Sequence, residues 1–145
     1  MFPDRQEALD DLSLEALCVR FQLTPHGDGS FRHSEPATDA AAQKTEYILL
    51  PAAEYLPWQR CDGAATLHHI AGGPLALSLS PDGHHAEAHH LQKHQHVEID
   101  ANNWHTAETL GRWSLIALTR PDATQIEPAA ENWFPSPMAS PQGSA

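Results

Sequence analysis

Residues 66–83 read Thr66-Leu67-His68-His69-Ile70-Ala71-Gly72-Gly73-Pro74-Leu75-Ala76-Leu77-Ser78-Leu79-Ser80-Pro81-Asp82-Gly83. Two short runs of extended-chain character, 66–71 and 74–80, flank a Gly-Gly pair, and Pro-Asp-Gly follows the second. Proline presets the first turn angle and glycine accepts positive φ, so Pro81-Asp82-Gly83 predicts a hairpin. Runs of the same kind at 45–50, 87–91, 95–99 and 113–118, punctuated by Asp62-Gly63, Asn102-Asn103 and Pro121-Asp122, extend the pattern in both directions. Strands at this spacing predict a mainly β closed sandwich or barrel rather than alternating β and α units. Alternate residues of a strand share a face, so Leu67 and His69 point one way and His68 the other.

Outside this core, Leu12, Leu14, Leu17, Cys18, Phe21 and Leu23 recur at helical spacing, which predicts an N-terminal amphipathic helix over about 10–23. Pro25-His26-Gly27-Asp28-Gly29-Ser30 ends it with turn residues, and 34–43 carries no period and reads as a loop. The barrel is expected over about 44–134, making 1–134 one domain, and 135–145 reads as a disordered tail.

The chain has 145 residues, 8 Lys+Arg against 19 Asp+Glu, 11 histidines and a formal charge of -11 with histidine neutral. That length buries one core. So acidic a surface repels phosphate backbones, which argues against a nucleic-acid partner. No apolar run reaches membrane-spanning length, and the first residues lack the layout of a secretory signal, so no membrane partner and a cytoplasmic location are expected. Cys18 and Cys61 are the only cysteines, too few for a disulfide framework or a four-cysteine zinc site. Protonating every histidine would cancel the charge, so the net charge depends strongly on pH between about 5 and 7.5.

Leu23-Thr24-Pro25-His26-Gly27-Asp28-Gly29, Trp58-Gln59-Arg60, Leu67-His68-His69-Ile70-Ala71-Gly72, Pro81-Asp82-Gly83 and Ala101-Asn102-Asn103-Trp104, in this order and spacing, resemble the cupin superfamily. Within it they are similar to a compact, uncharacterised group of small single-domain cupins, as a divergent member of that group would be. The resemblance covers about 14–134 and implies a jelly-roll β barrel with an N-terminal helix, able to pair through its sheets as a homodimer. It also implies a site. The superfamily holds one divalent metal with two histidines, a glutamate and a later histidine; alignment on Gly72 puts the first three positions at Gln59, Cys61 and Ala65, and the later motif puts the last at His105. Three or four ligands are normally required, so no cofactor is expected. A single transition metal held by Cys61, His105 and a neighbour such as His69 is the alternative.

Individual side chains carry paired readings. His69 is either bonded to nearby backbone or, with His105 across the barrel, a general acid or base. Cys61 is a small apolar filler or a pocket residue. His26 and Asp28 lie in the segment that relatives place near the barrel mouth, and the alternative is a glycine-fixed turn after the helix. Trp104 and His105 are adjacent, so one faces the cavity. Arg60 has the opposite parity to Gln59, which predicts an ion pair rather than a ligand clamp. The run His84-His85-Ala86-Glu87-Ala88-His89-His90, with His94-Gln95-His96, reads as a solvated sheet face, although His94 and His96 on one strand face could chelate a metal.

These residues predict a small-molecule-binding protein. A metal-independent isomerase, epimerase or lyase acting on a small polar or sugar-like ligand would use His105 and His69 for proton transfer, with Gln59, Cys61, His26, Asp28 and Trp104 around the ligand. A non-catalytic ligand-binding or regulatory module, and a metal-dependent enzyme with a rebuilt site, are the competing accounts.

Overall fold

A computed structural model describes residues 9–27, 29–35, 43–121, 125–128 and 136–137. The helix α1, Leu14–Phe21, precedes β1 Thr24–Pro25, β2 Phe31–Glu35, β3 Gln43–Leu50, β4 Gln59–Cys61, β5 Ala65–Gly72, β6 Leu75–Ser80, β7 His85–Leu91, β8 His96–Ile99, β9 Trp104–Thr109, β10 Ser114–Pro121, β11 Ile126–Pro128 and β12 Ser136–Pro137. The strands form two sheets, ordered β1-β2-β3-β10-β5-β8 and β11-β4-β9-β6-β7-β12. Pairing is antiparallel except for β12 alongside β7. This is a jelly-roll arrangement, mainly β, with the short helix α1 before it.

The inner faces of the two sheets enclose Ile48, Leu50, Leu67, Leu75, Leu77, Leu91, Ile99, Ala107, Ile116 and Leu118. Burying each such side chain contributes on the order of 1.5–3 kcal/mol. A second cluster of Leu17, Leu23, Leu49, Ala71 and Leu115 joins α1 to the outer face of the first sheet. Ser13 caps α1, its side chain accepting from the Ala16 amide at 3.1 Å, and Gln22 ends it in the left-handed region at φ 58. The helix is therefore shorter than the 10–23 expected from apolar spacing, because Ser13 supplies its first cap.

Between Leu115 and Ile116 the β10–β5 register slips: Leu115 faces Ala71 and Ile116 faces His69, leaving Ile70 as an extra residue. A bulge of this kind switches the faces. Leu67 and His69 lie on the inner side, whereas Ala71 joins the helix-covered outer cluster. Gly72 follows at φ 95, and a Cβ there would stand 2.4 Å from the Trp113 carbonyl oxygen.

The predicted hairpin joins β6 to β7: Asp82 Oδ1 accepts from the amides of His84 and His85 at 2.8 and 2.9 Å, and Gly83 has φ 75. Two expectations are corrected. The loop expected over 34–43 loses its ends to β2 and β3, since Ser34 and Glu35 pair with Glu46 and Thr45. Within the tail expected to be disordered, Ser136 and Pro137 pair with His85 and Ala86; its other residues lie outside the described set.

Candidate functional site

β4 is only three residues long, and its contact with β9 is a single register pair, Gln59 opposite His105. Residues directly opposite on paired strands point to the same face. His105 in turn lies opposite Leu79 of β6, which packs against the inner apolar cluster. Gln59 and His105 thus face into the barrel, and Cys61, two residues on from Gln59, faces the same way and is 3% exposed.

His105 is 5% exposed. Its Nδ1 lies 3.3 Å from the Asn103 carbonyl, which can only accept, so the proton resides on Nδ1 and Nε2 keeps its lone pair. That Nε2 is buried without a hydrogen-bond partner among the described residues. Burial holds the ring below its usual pKa; the Asn103 bond opposes this and the nearby Arg120 charge adds to it. Burial likewise pushes the Cys61 thiol up, more than Arg120 pulls it down. At neutral pH this is an uncharged imidazole beside an uncharged thiol.

Two residues that the sequence reading passed over complete this end of the barrel. Arg120 lies in phase with Ile116 and Leu118 on β10, Glu46 in phase with Ile48 and Leu50 on β3, and both therefore face inward. Their side chains are 6% and 12% exposed, with Arg120 Nη1 3.5 Å from Glu46 Oε1. The signal is period-2 alternation: Glu46 shares parity with Ile48 and Leu50 inside the strand expected over 45–50, whereas Arg120 lies beyond the end of the one expected over 113–118.

His69 is placed differently. It is 2% exposed on the inner side of β5, but its Nε2–H donates to the Gly73 carbonyl at 2.6 Å. Its surroundings are Asp10, His94 and Lys93, and burial lowers its pKa. Thr66 is opposite Thr119 and His69 opposite Ile116, so His69 sits four residues along β5 from Ala65 at the Arg120 end. At roughly 3.3 Å per residue that is on the order of 13 Å. The expected pairing of His69 with His105 is corrected: each histidine has its own neighbours, and His69 fastens the Gly72–Gly73 turn.

Trp104 is also corrected as a pocket residue, because His105 takes the inward parity. Trp104 lies on the outer side with the Arg60 guanidinium 4.8 Å from its ring centroid. Arg60 also bonds Glu127 at 2.8 Å, the ion pair expected from its parity. His26 is exposed in the turn between β1 and β2, where its amide donates to the Ser30 carbonyl at 2.8 Å. Pro25 is opposite Phe31, which is opposite Leu49, so His26 lies beyond the Leu50 end of β3, away from Glu46. Asp28 lies outside the described residues.

In the histidine run, His89 and His90 line an open groove with Leu91, Gln95, His96 and Val97. His96 lies opposite His68, with ring centroids 5.3 Å apart. His94 has φ 75 in the turn before β8, so it does not share a strand face with His96 as expected.

The residues at the inherited metal positions do not fit a metal. Among the described residues no group of three or more His, Cys, Asp or Glu side chains is placed to hold one. Position 65 is alanine, Cys61 is held as the thiol, and the Arg120 cation acts on both Cys61 and His105. A fixed positive charge there repels a second one.

No helix among the described residues is long and apolar enough to cross a membrane. No protein-family model matches the chain, and no curated protein matches it in sequence. Solved structures do match. A protein from Shewanella oneidensis superposes with a TM-score of 0.68 at 17% identity, covering 82% of this chain and 85% of that one. A cupin 2 domain-containing protein from Halorhodospira halophila gives 0.59 at 16%, covering 75% and 76%. Oxalate decarboxylase of Bacillus subtilis, a protein with Mn(II) centres, gives 0.63 at 10%, covering 71% of this chain but only 29% of the longer enzyme. Sheet order, barrel interior and these superpositions agree that the chain has the cupin fold.

Proposed function

We propose that this chain is a small-molecule-binding cupin domain whose ligand enters the end of the barrel where Gln59, Cys61 and His105 face inward. The observation that carries this reading is the Nε2 of His105, buried and without a hydrogen-bond partner among the described residues. A buried acceptor left unsatisfied costs about 1–3 kcal/mol, a cost offset if a ligand's hydroxyl or amide donates to it. Barrels of this size can hold one small ligand.

The chemistry open to such a site is proton transfer without a metal, as in an isomerase, epimerase or lyase acting on a small polar or sugar-like molecule. His105 enters as the base: Nε2 takes a proton while Nδ1 remains bonded to the Asn103 carbonyl, which orients the ring. Gln59, register partner of His105, is positioned to orient the substrate. With His69 removed from the pair, one imidazole must both take and return the proton. That favours a lyase or a same-face isomerisation over inversion by two opposed bases.

A non-catalytic ligand-binding module is the second reading, favoured by the protonated Cys61 thiol and by the absence, among the described residues, of a second acid or base bonded to His105. His105→Ala decides between them. Loss of product formation with the circular dichroism spectrum unchanged supports catalysis, whereas saturable binding with no product from the wild type supports the module. Stoichiometric metal that survives dialysis in untagged protein would contradict both and restore a metal-dependent site.

A further inference from the structure

A protein of formal charge -11 places an excess of positive charge inside this end of its barrel. Glu46 divides one carboxylate between two guanidinium groups: Oε2 lies 3.5 Å from Arg32 Nη1, and Oε1 lies 3.5 Å from Arg120 Nη1. Lys44 stands opposite Arg120 in the β3–β10 register, with the same parity as Glu46. Cys61 and His105 are uncharged here. Asp62, on the exposed turn beyond Cys61, already accepts the Gln125 amide at 2.8 Å. Against Arg32, Arg120 and Lys44 the described residues set one inward carboxylate that is shielded from solvent, Glu46; Glu87, opposite Leu79, has the same parity but is exposed and lies 3.6 Å from His89.

Arg120 is the least satisfied of these groups. It is 5% exposed, and its buried Nη1 has no hydrogen-bond partner among the described residues. The 3.5 Å approach of Glu46 is long beside the 2.7–2.9 Å or so of a charge-assisted bond. A planar donor fork of this kind matches a carboxylate. The nearby His105 Nε2 lacks a donor, so the site offers one buried cation and one buried acceptor together.

We propose that Arg120 is the anion-binding residue of the barrel and takes the carboxylate of a small hydroxy acid whose hydroxyl donates to His105 Nε2. Glu46 is the placeholder: it holds the guanidinium until the ligand's carboxylate arrives and then keeps its contact with Arg32. Arg120 thereby supplies the fixed positive charge that the residues at positions 59, 61, 65 and 105 cannot hold as a metal. The proposal rests on the reading of this barrel end as the ligand site and names the ligand class.

The test is calorimetric titration of the full-length untagged chain with matched probes: glycolate, glycerate and gluconate against glycolamide, glycerol and sorbitol. The His105 ring nitrogens are followed by NMR in the same samples. At least one acid should bind tenfold or more tighter than its neutral partner, and Arg120→Gln should remove that preference. Glu46→Gln, which removes the competing carboxylate, should tighten acid binding threefold or more. Arg120→Lys keeps the charge without the fork and should fall between wild type and Arg120→Gln; it serves if Arg120→Gln does not fold. Neutral probes that move the His105 resonances as strongly as the acids, with no effect of Arg120→Gln, overturn the proposal and leave the site standing. Silence of His105 toward every probe overturns both.

Discussion

The two nitrogens of His105 have opposite situations. Nδ1 is tied to a carbonyl two residues back, and Nε2 is buried without a partner among the described residues. His69 has the same division with the nitrogens exchanged, its Nε2 on the Gly73 carbonyl and its Nδ1 unpartnered. Local structure separates them, because one bond closes a turn and the other only orients a ring. His69→Gln should therefore lower stability with little effect on ligand binding, while His105→Gln should abolish binding or turnover and leave the melting temperature within a few degrees. Thermal melts and titrations on both variants check this, and reversed effects would show the roles to be misassigned. Gly72 is the other decisive residue. With φ 95 and the Trp113 carbonyl 2.4 Å from where a Cβ would sit, Gly72→Ala should cost about 2 kcal/mol or more in urea unfolding. Gln59, Cys61 and His105 were singled out by the resemblance to the cupin motifs, whose spacing survives even where the ligands themselves have been replaced. Arg120 and Glu46 were not, because a charged residue at a strand end looks like solvent-facing sequence until the register of both neighbours is known.

At the scale of elements, the β5 bulge decides what each half of the strand does. Before Ile70 its inward residues line the barrel; after it, Ala71 becomes part of the seat for α1. The helix depends on that seat, being only eight residues long and too short to hold its form alone. Leu17→Ala, at the fully buried centre of the helix contact, should cost about 2–5 kcal/mol and expose the outer face of β5 and β10 to hydrogen exchange. Uniform exchange across both faces instead would mean that α1 does not cover them as a unit. The longer strands and the Pro81-Asp82-Gly83 hairpin could be read from the chain because apolar alternation or turn chemistry marks them locally. β1, β2, β4, β9 and β11 could not: Phe31-Arg32-His33-Ser34-Glu35 has one apolar residue, Trp104-His105-Thr106-Ala107-Glu108-Thr109 is mostly polar, and β4 with β11 is held by pairing between segments distant in sequence. The bulge was equally hidden, since nothing in His69-Ile70-Ala71 announces that its neighbour pairs out of step.

For the molecule as a whole, the 11 histidines divide by burial. His69 and His105 are buried and held below the ordinary value of 6.5 by desolvation, so the unfolded chain binds protons that the native state refuses. Stability should accordingly be level above about pH 6.5 and fall as pH drops below it. Asp10 acts in a lower window. Burial tends to raise its pKa, but bonds from Lys93 and the Gly72 amide, with Arg112 nearby, hold it below 3.8, so its contribution is lost only as the carboxylate protonates. Urea midpoints measured from pH 8 to 5 should decline through the histidine window, and His105→Gln should flatten part of that decline; an unchanged slope would remove His105 from the explanation.

The proposed function turns on a neutral imidazole at His105 whose Nε2 lacks a partner among the described residues, in a fold whose other members include a protein with Mn(II) centres. Long-range proton–nitrogen NMR of the 15N-labelled protein, with His105 assigned through His105→Gln, tests it directly. The expected result is a neutral Nδ1–H tautomer at pH 7 that stays neutral to below pH 6.5. A charged ring at pH 7, or a proton on Nε2, would contradict it.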